Sequence, residues 1–333
     1  MKTPAVLRVL CRPLAVIYGA VVWLRARLYA RGWLKQRRLN AVVISVGNIT
    51  VGGTGKTPMV IWLAERFLAE GRRVAILSRG YRGSDGTSDE VELMKERLQG
   101  RALFGVGKNR FAEGQRLESR GVEIFLLDDG FQHLRLARDV DIVLVDATRP
   151  LREEWLLPAG RLREPVSAVN RADVVVFTRT NHATSVWGTQ SPPEVPAFPS
   201  RTKLIGFRQF GANGRMSVLP DESVGPFYAF CGIGNPAGFL LDLQKWGVPL
   251  AGHSLFRDHH RYNAADADAL QTSAVKAGAR ALVATEKDAQ NFNATHFSRL
   301  PVYLAVISLE IPGEKEFFSL VKSKLPAAGG EVA

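Results

Sequence analysis

The sequence predicts an α/β protein of two domains preceded by a basic amphipathic helix. Short β-branched runs alternate with helical patterns between residues 41 and 178. A glycine-rich loop stands directly between the first of these runs and a helix. A proline-rich stretch near residue 190 interrupts the alternation, which then resumes. Alternation of this kind folds as parallel sheet with crossover helices, and the break marks a domain boundary.

The N-terminal helix is read from residues 1–38. Leu10, Leu14, Ile17, Val21, Leu24 and Leu28 recur at steps of four and three, which lines one helix face with apolar side chains. Pro13 suits the first turn of the main helix. The net charge of the 333-residue chain is +12. Lys2, Arg8, Arg12, Arg25, Arg27, Arg31, Lys35, Arg37 and Arg38 all fall before residue 40, and the first acidic residue is Glu65. The uncharged stretch 13–24 spans roughly 18 Å as helix, against about 30 Å of bilayer hydrocarbon, so it is too short to cross. The arginines continue past it and no small-residue cleavage site follows, which argues against a signal peptide. A basic helix lying on an anionic membrane surface accounts for both stripe and charge. The competing reading packs the stripe on the protein's own domain.

Residues 41–46, 74–78, 122–128, 141–146 and 173–178 read as buried parallel strands, with a crossover helix at 61–70. They define a first domain over 39–180, a P-loop NTPase-like parallel sheet with ligands at the carboxyl ends of its strands. Residues 181–208, with Ser191-Pro192-Pro193, Pro196 and Pro199, read as a linker. A smaller α/β domain over 209–333 follows, with strands near 228–231, 281–285 and 302–307 and helices near 237–246 and 264–276. Cys11 and Cys231 lie far apart without metal-ligand spacing, which fits a cytosolic or membrane-face location better than a disulfide-built secreted fold. Beyond residue 40 no basic stripe with interleaved aromatics suggests a nucleic-acid binder. No obligate protein partner is implied.

Gly52-Gly53-Thr54-Gly55-Lys56-Thr57 carries the sharpest chemistry. Glycines let backbone N–H groups curl around phosphate oxygens, and the following helix adds partial positive charge at its N-terminus. Lys56 would reach the β- and γ-phosphates of a nucleotide and the Thr57 hydroxyl would bind Mg²⁺. Thr50 stands where the usual pattern has its first glycine, so the loop is a variant. The apolar run 122–127 ends in Asp128-Asp129, a strand tip offering carboxylates to the same Mg²⁺. Either aspartate could be the ligand, and either could instead cap a turn.

At this point the chain resembles the tetraacyldisaccharide 4′-kinase family. The resemblance rests on the stretch Val46-Gly47-Asn48-Ile49-Thr50 running into the loop and Pro58, and on Ser78-Arg79-Gly80-Tyr81. It continues through Leu127-Asp128-Asp129-Gly130-Phe131-Gln132-His133 and Leu157-Pro158-Ala159-Gly160-Arg161-Leu162-Arg163-Glu164-Pro165. In the second domain Gly232-Ile233-Gly234-Asn235-Pro236, Asp258-His259-His260 and Thr285-Glu286-Lys287-Asp288 also match. It implies two α/β domains, ATP with Mg²⁺, and transfer of the γ-phosphate to the 4′-hydroxyl of a lipid disaccharide 1-phosphate. It also implies a place at the cytoplasmic face of the inner membrane. It assigns Asp89 as the carboxylate that acts on the attacking hydroxyl and His259 as its partner across the domain cleft, with His260 as the runner-up. Such a pair could take a sugar-hydroxyl proton. Read without the family, Asp89-Glu90 is a helix start and Asp258-His259-His260 a turn.

A membrane-peripheral P-loop ATPase or GTPase switch is the alternative. Guanine-reading strand ends carry Asn/Thr-Lys-x-Asp, and Thr285-Glu286-Lys287-Asp288 puts its lysine one place late. A lipid-binding protein without catalysis leaves Lys56, Thr57 and Asp129 unexplained.

Overall fold

The structure, a computed structural model, describes residues 9–80, 88–149, 151, 154–182, 194–211, 216–217 and 224–326. Lys2, Arg8, Tyr81 and Ser191-Pro192-Pro193 of the expected linker lie outside them. The chain divides into two compact units, one of Met1–Thr87, Lys95–Arg201 and Leu309–Ala333, the other of Ser88–Met94 and Thr202–Ser308.

In the first unit, helix α1 (Arg12–Ala30) has a proline in its first turn. It buries its small residues, Ala15 and Gly19, and a side chain at Gly19 would collide with Leu156. The leucine stripe is the face turned outward: Leu14 is 56% exposed, Ile17 61% and Val21 60%. Packing through small residues lets the helix approach the domain closely while leaving its large apolar side chains uncovered.

The sheet of this unit uses β1 (Val42–Asn48), β2 (Val74–Ser78), β3 (Leu103–Val106), β4 (Ile124–Asp128), β5 (Val140–Asp146), β6 (Val174–Thr178) and β7 (Ala197–Pro199). Their order is β3-β2-β4-β1-β5-β6-β7 and every pairing is parallel. Strands β2, β4, β5 and β6 are buried throughout, which is why they read as continuous apolar runs. The chain leaves β1 toward one side of the sheet and later returns to its other side at β5. The carboxyl end of β1 is thus a topological switch point, where α/β proteins bind ligands.

Helix α2 (Lys56–Ala69) follows β1, and Gly55 before it takes φ +90°, a turn that favours glycine. Met59, Val60, Leu63, Ala64 and Phe67 of α2 are buried. Helix α3 (Asp89–Leu98) starts in the second unit and ends in the first, and α4 (Arg110–Glu118) joins β3 to β4. The second unit has β8 (Arg201–Gln209), β9 (Met216–Ser217), β10 (Phe227–Cys231), α5 (Pro236–Lys245), β11 (Leu250–Leu255), α6 (Ala264–Lys276), β12 (Ala281–Thr285), the single turn α7 (Glu286–Ala289) and β13 (Val302–Glu310). Its sheet, ordered β11-β10-β12-β13-β8-β9, is mixed, because β8 and β9 pair antiparallel. Asn235 caps α5, and Asn263 with Asp266 forms a capping box at α6.

Two features depart from the expected segmentation. The stretch 181–208 holds β7 and most of β8, one strand for each sheet. The last helix, α8 (Glu314–Ser323), belongs to the first unit. Phe317 packs 5.6 Å from Trp62 and 5.3 Å from Phe198, and Phe318 lies 5.0 Å from Phe67. Ion pairs Arg66–Glu314 (2.7 Å) and Lys322–Glu70 (2.6 Å) flank these rings.

Candidate active site

The loop Gly52-Gly53-Thr54-Gly55 leaves the switch point and delivers Lys56 and Thr57 at the first positions of α2. Neighbouring strand ends brace it. Asn48 of β1 donates to Thr54 Oγ1 at 2.8 Å, and the Thr178 hydroxyl of β6 donates to the Thr54 carbonyl at 3.0 Å. Arg179 donates to the Gly53 carbonyl at 3.0 Å while holding Asp146 of β5 at 2.6 Å. With its carbonyls tied back in this way, the loop can present N–H groups to an anion.

Asp128 ends β4 beside Val46 of β1, and its carboxylate accepts from the Ser78 hydroxyl at 3.3 Å. Asp129 has φ +50°, and Arg110 steadies this turn by donating to the carbonyls of Asp128 (2.9 Å) and Asp129 (3.3 Å). The Asp129 carboxylate receives Arg163 at 2.9 and 2.8 Å and lies 3.4 Å from Lys56. Burial pushes its carboxyl up, but Lys56 and Arg163 outweigh this and bring its pKa down to about 2. Thr57, Asp128 and Asp129 together offer only hydroxyl and carboxylate oxygens. A donor set without sulfur or imidazole fits Mg²⁺.

Beside Asp129 opens a cavity of about 460 Å³, lined by Tyr18 and Arg25 of α1 and by Arg79, Lys108, Arg110 and Arg163. His133 also lines it. Burial, followed by the charges of Arg110, Arg138, Arg25 and Arg135, pushes the His133 pKa down to about 4. Sequence reasoning assigned no role to Arg163, Arg110 or Gln132. Gln132 links the Asn48 carbonyl to Glu164, which Arg171 holds at 2.6 Å. Arg163, Gln132 and Glu164 stand inside the motifs of the resemblance, and that is the signal by which they could have been found. Arg110 had none.

In the second unit Asp89 and His259 meet, His259 Nδ1 lying 2.8 Å from Asp89 Oδ2. Asp89 begins α3, whereas His259 follows β11 in a turn where it takes φ +60°. Asn291 donates to the same Oδ2 at 3.0 Å. Burial alone would push the Asp89 carboxyl up, yet the hydrogen bonds from His259 and Asn291 hold it well below the carboxylate range. The bond to Asp89 raises the His259 pKa, against burial and the charge of Lys287. His260, the runner-up, turns elsewhere: it contacts Asp266 at 2.9 Å and stacks on Phe256. Asp288 of the imitated guanine motif is buried, accepting from Gly232 N–H (2.7 Å), Tyr262 (2.9 Å) and Thr285 (2.6 Å). A carboxylate so engaged is not presented to a base.

Comparison with known proteins agrees along the chain. A family model described as tetraacyldisaccharide-1-P 4′-kinase matches residues 7–326. The tetraacyldisaccharide 4′-kinase of Geobacter sulfurreducens is 41% identical over 323 residues, covering 89% of this chain and 87% of its own. That of Geobacter metallireducens is 38% identical over 330 residues, covering 91% and 94%. The crystal structure of LpxK from Aquifex aeolicus, described as its "apo" form in complex with ATP, superposes with a TM-score of 0.73. It is 27% identical and covers 96% of this chain and 100% of its own.

Proposed function

The chain belongs to the tetraacyldisaccharide-1-P 4′-kinase family and is a kinase, and from that premise we propose that it moves the γ-phosphate of ATP to the 4′-hydroxyl of a tetraacylated glucosamine disaccharide 1-phosphate. The observation that carries this reading is the cavity beside Asp129. It joins the carboxylate that faces Lys56 to a wall of α1 and a set of cations, a surround suited to an anionic lipid headgroup.

In the reaction the 4′-oxygen forms a bond to the γ-phosphorus as the bond to ADP breaks, and the hydroxyl proton passes to Asp89. Lys56 and the loop N–H groups carry the charge that develops on the phosphate oxygens. Thr57 and the carboxylates of Asp128 and Asp129 would hold Mg²⁺, which would help to neutralise the same charge. Asp89 is a weak base, because two donors already stabilise its ionised form. In a loose transition state the hydroxyl keeps its proton until the new bond is well advanced, so a weak base suffices.

The outward stripe of α1, bracketed by Arg12 and by Arg25, Arg27 and Arg31, supports placement on an anionic surface, the cytoplasmic face of an inner membrane. No described helix is long and apolar enough to cross a membrane. The test is incubation with γ-labelled ATP, Mg²⁺ and a tetraacyldisaccharide 1-phosphate in mixed micelles. Label in a bis-phosphorylated lipid is expected. ATP hydrolysis that proceeds equally without lipid and leaves the lipid unlabelled would overturn the reading.

A further inference from the structure

His259 is held from both sides by groups that leave its ring one arrangement. On one side Asp89, ionised, can only accept, so Nδ1 must donate to it. On the other side lies Lys287, in the α7 turn after β12, whose ammonium can only donate. Its nitrogen is 3.0 Å from Glu90 Oε1, 3.3 Å from Asp258 Oδ1 and 3.4 Å from His259 Nε2. Three N–H donors thus face three acceptors, provided that Nε2 keeps its lone pair. Both neighbours require the same neutral tautomer, with the proton on Nδ1.

The same cluster could be mistaken for a metal site. Ligand atoms of Asp89, Glu90 and His259 lie within 4.8 Å of one another, a spacing that a divalent ion could bridge. The Lys287 ammonium already supplies the positive charge there, and a second cation beside it would be repelled.

We infer that Lys287 is a positioning residue for the hydroxyl-activating pair: it takes the place of a metal ion among Glu90, Asp258 and His259 and locks His259 in the Nδ1–H tautomer that orients Asp89. The inference rests on the reading of Asp89 and His259 as that pair. Protonation of Nε2 would set an N–H against the ammonium, so Lys287 opposes formation of the imidazolium. Asp89, Glu90 and Asp258 favour it, and Glu90 Oε1 and Asp258 Oδ1 lie 3.8 and 3.9 Å from Nε2. Removing the ammonium leaves three carboxylates unopposed around the ring. His259 should then protonate at higher pH, and an imidazolium beside Asp89 makes that carboxylate a still weaker base.

The experiment compares full-length Lys287→Met and Lys287→Arg with the parent protein. Their fold is checked by circular dichroism, and the ¹⁵N shifts of His259 are assigned by difference with His259→Asn. In the parent, His259 should show an N–H at Nδ1 and a bare Nε2. In Lys287→Met the Nε2 resonance should move toward the protonated value, and the acid limb of kcat/KM should rise by about one pH unit or more. Its kcat should fall roughly 10- to 100-fold, as when other supporting partners of a reacting group are lost. Lys287→Arg, which keeps the charge, should retain the parent's pH profile. Unchanged His259 shifts and pH profile in Lys287→Met, or the same displaced profile in both variants, would overturn the inference. Asp89→Ala and His259→Ala are assayed alongside. Parent-like turnover in them would refute the pair itself, whereas the shifts, read without substrate, report on Lys287 in either case.

Discussion

The phosphate loop of the first unit and the charged cluster of the second each set a lysine beside carboxylates, but they are built on different terms. Around Lys56 the framework is backbone: a continuous stretch of chain, tied at the Thr54 hydroxyl by buried Asn48 and at its carbonyls by buried Thr178 and by Arg179. Around His259 the framework is the charges themselves, with Asp89, Lys287, Glu90 and Asp258 each fixed by the others. Removing one side chain from the loop should therefore subtract that side chain's contribution and little else. Removing one from the cluster should disturb its neighbours too.

The largest effect should break or uphold this contrast directly. Asp89→Ala should lower kcat by roughly 10²–10⁴-fold, the range for a positioned acid–base group. The double variant Asp89→Ala/His259→Ala should be little worse than the more damaged single variant, because the two act as a unit. Fully multiplicative losses at saturating ATP and lipid would show that the cluster is not a unit.

Lys56→Ala comes next, with a loss on the order of 10²–10³-fold, as for removal of one preorganised donor to a developing anion. Its unfolding transition should stay close to the parent's. Asp129→Ala should differ in kind, its defect partly relieved by raised Mg²⁺ in a steady-state titration. Near-normal lipid phosphorylation by a folded Lys56→Ala protein would remove the loop from the chemistry.

A third test separates the loop from the wall beside it. Leu14→Ser/Ile17→Ser/Val21→Ser leaves Ala15 and Gly19, through which α1 packs, untouched. Each aliphatic side chain is worth about 1.5–3 kcal/mol when fully buried, so partition onto anionic vesicles should fall on the order of tenfold or more. KM for lipid should rise far more than KM for ATP. Equal co-sedimentation of variant and parent would mean that the outward stripe meets no membrane.

The smallest effect concerns His133. Its pKa is about 4 in the folded protein, against about 6.5 for an unhindered histidine, so between those values the unfolded chain binds the extra proton. Stability from this group should therefore be whole above about pH 6.5 and decline as pH falls toward about 4. His133→Asn should flatten that part of the urea-midpoint profile. An unchanged slope would place the histidine's protonation outside the arginine field.

How much of this was legible in the sequence follows from how local each feature is. Strands β2, β4, β5 and β6 are buried end to end, and continuous apolar runs announce that environment. Strand β3 is four residues long with Gly105 inside it, and β7 ends in Pro199, so both lack the pattern. Strand β8 alternates in exposure, but it lies in a stretch whose prolines spoke for a linker. Lys56 and Thr57 are legible because a phosphate loop is contiguous. Asp89 and His259 stand 170 residues apart, and only the family resemblance suggested pairing them. The partners Arg163 and Lys287 depend on folded geometry that no spacing encodes.

The return of α8 to the first unit also sets a schedule for synthesis. Glu314 follows its partner Arg66 by 248 residues, and Lys322 follows Glu70 by 252. At about 5–20 residues per second, a ribosome delivers the cover for Trp62 and Phe67 roughly 10–50 s after it has made them. During that interval the whole second unit emerges while the first still shows an aromatic flank. A nascent chain in that condition is a client for holding chaperones, and a chain released early at residue 308 stays one.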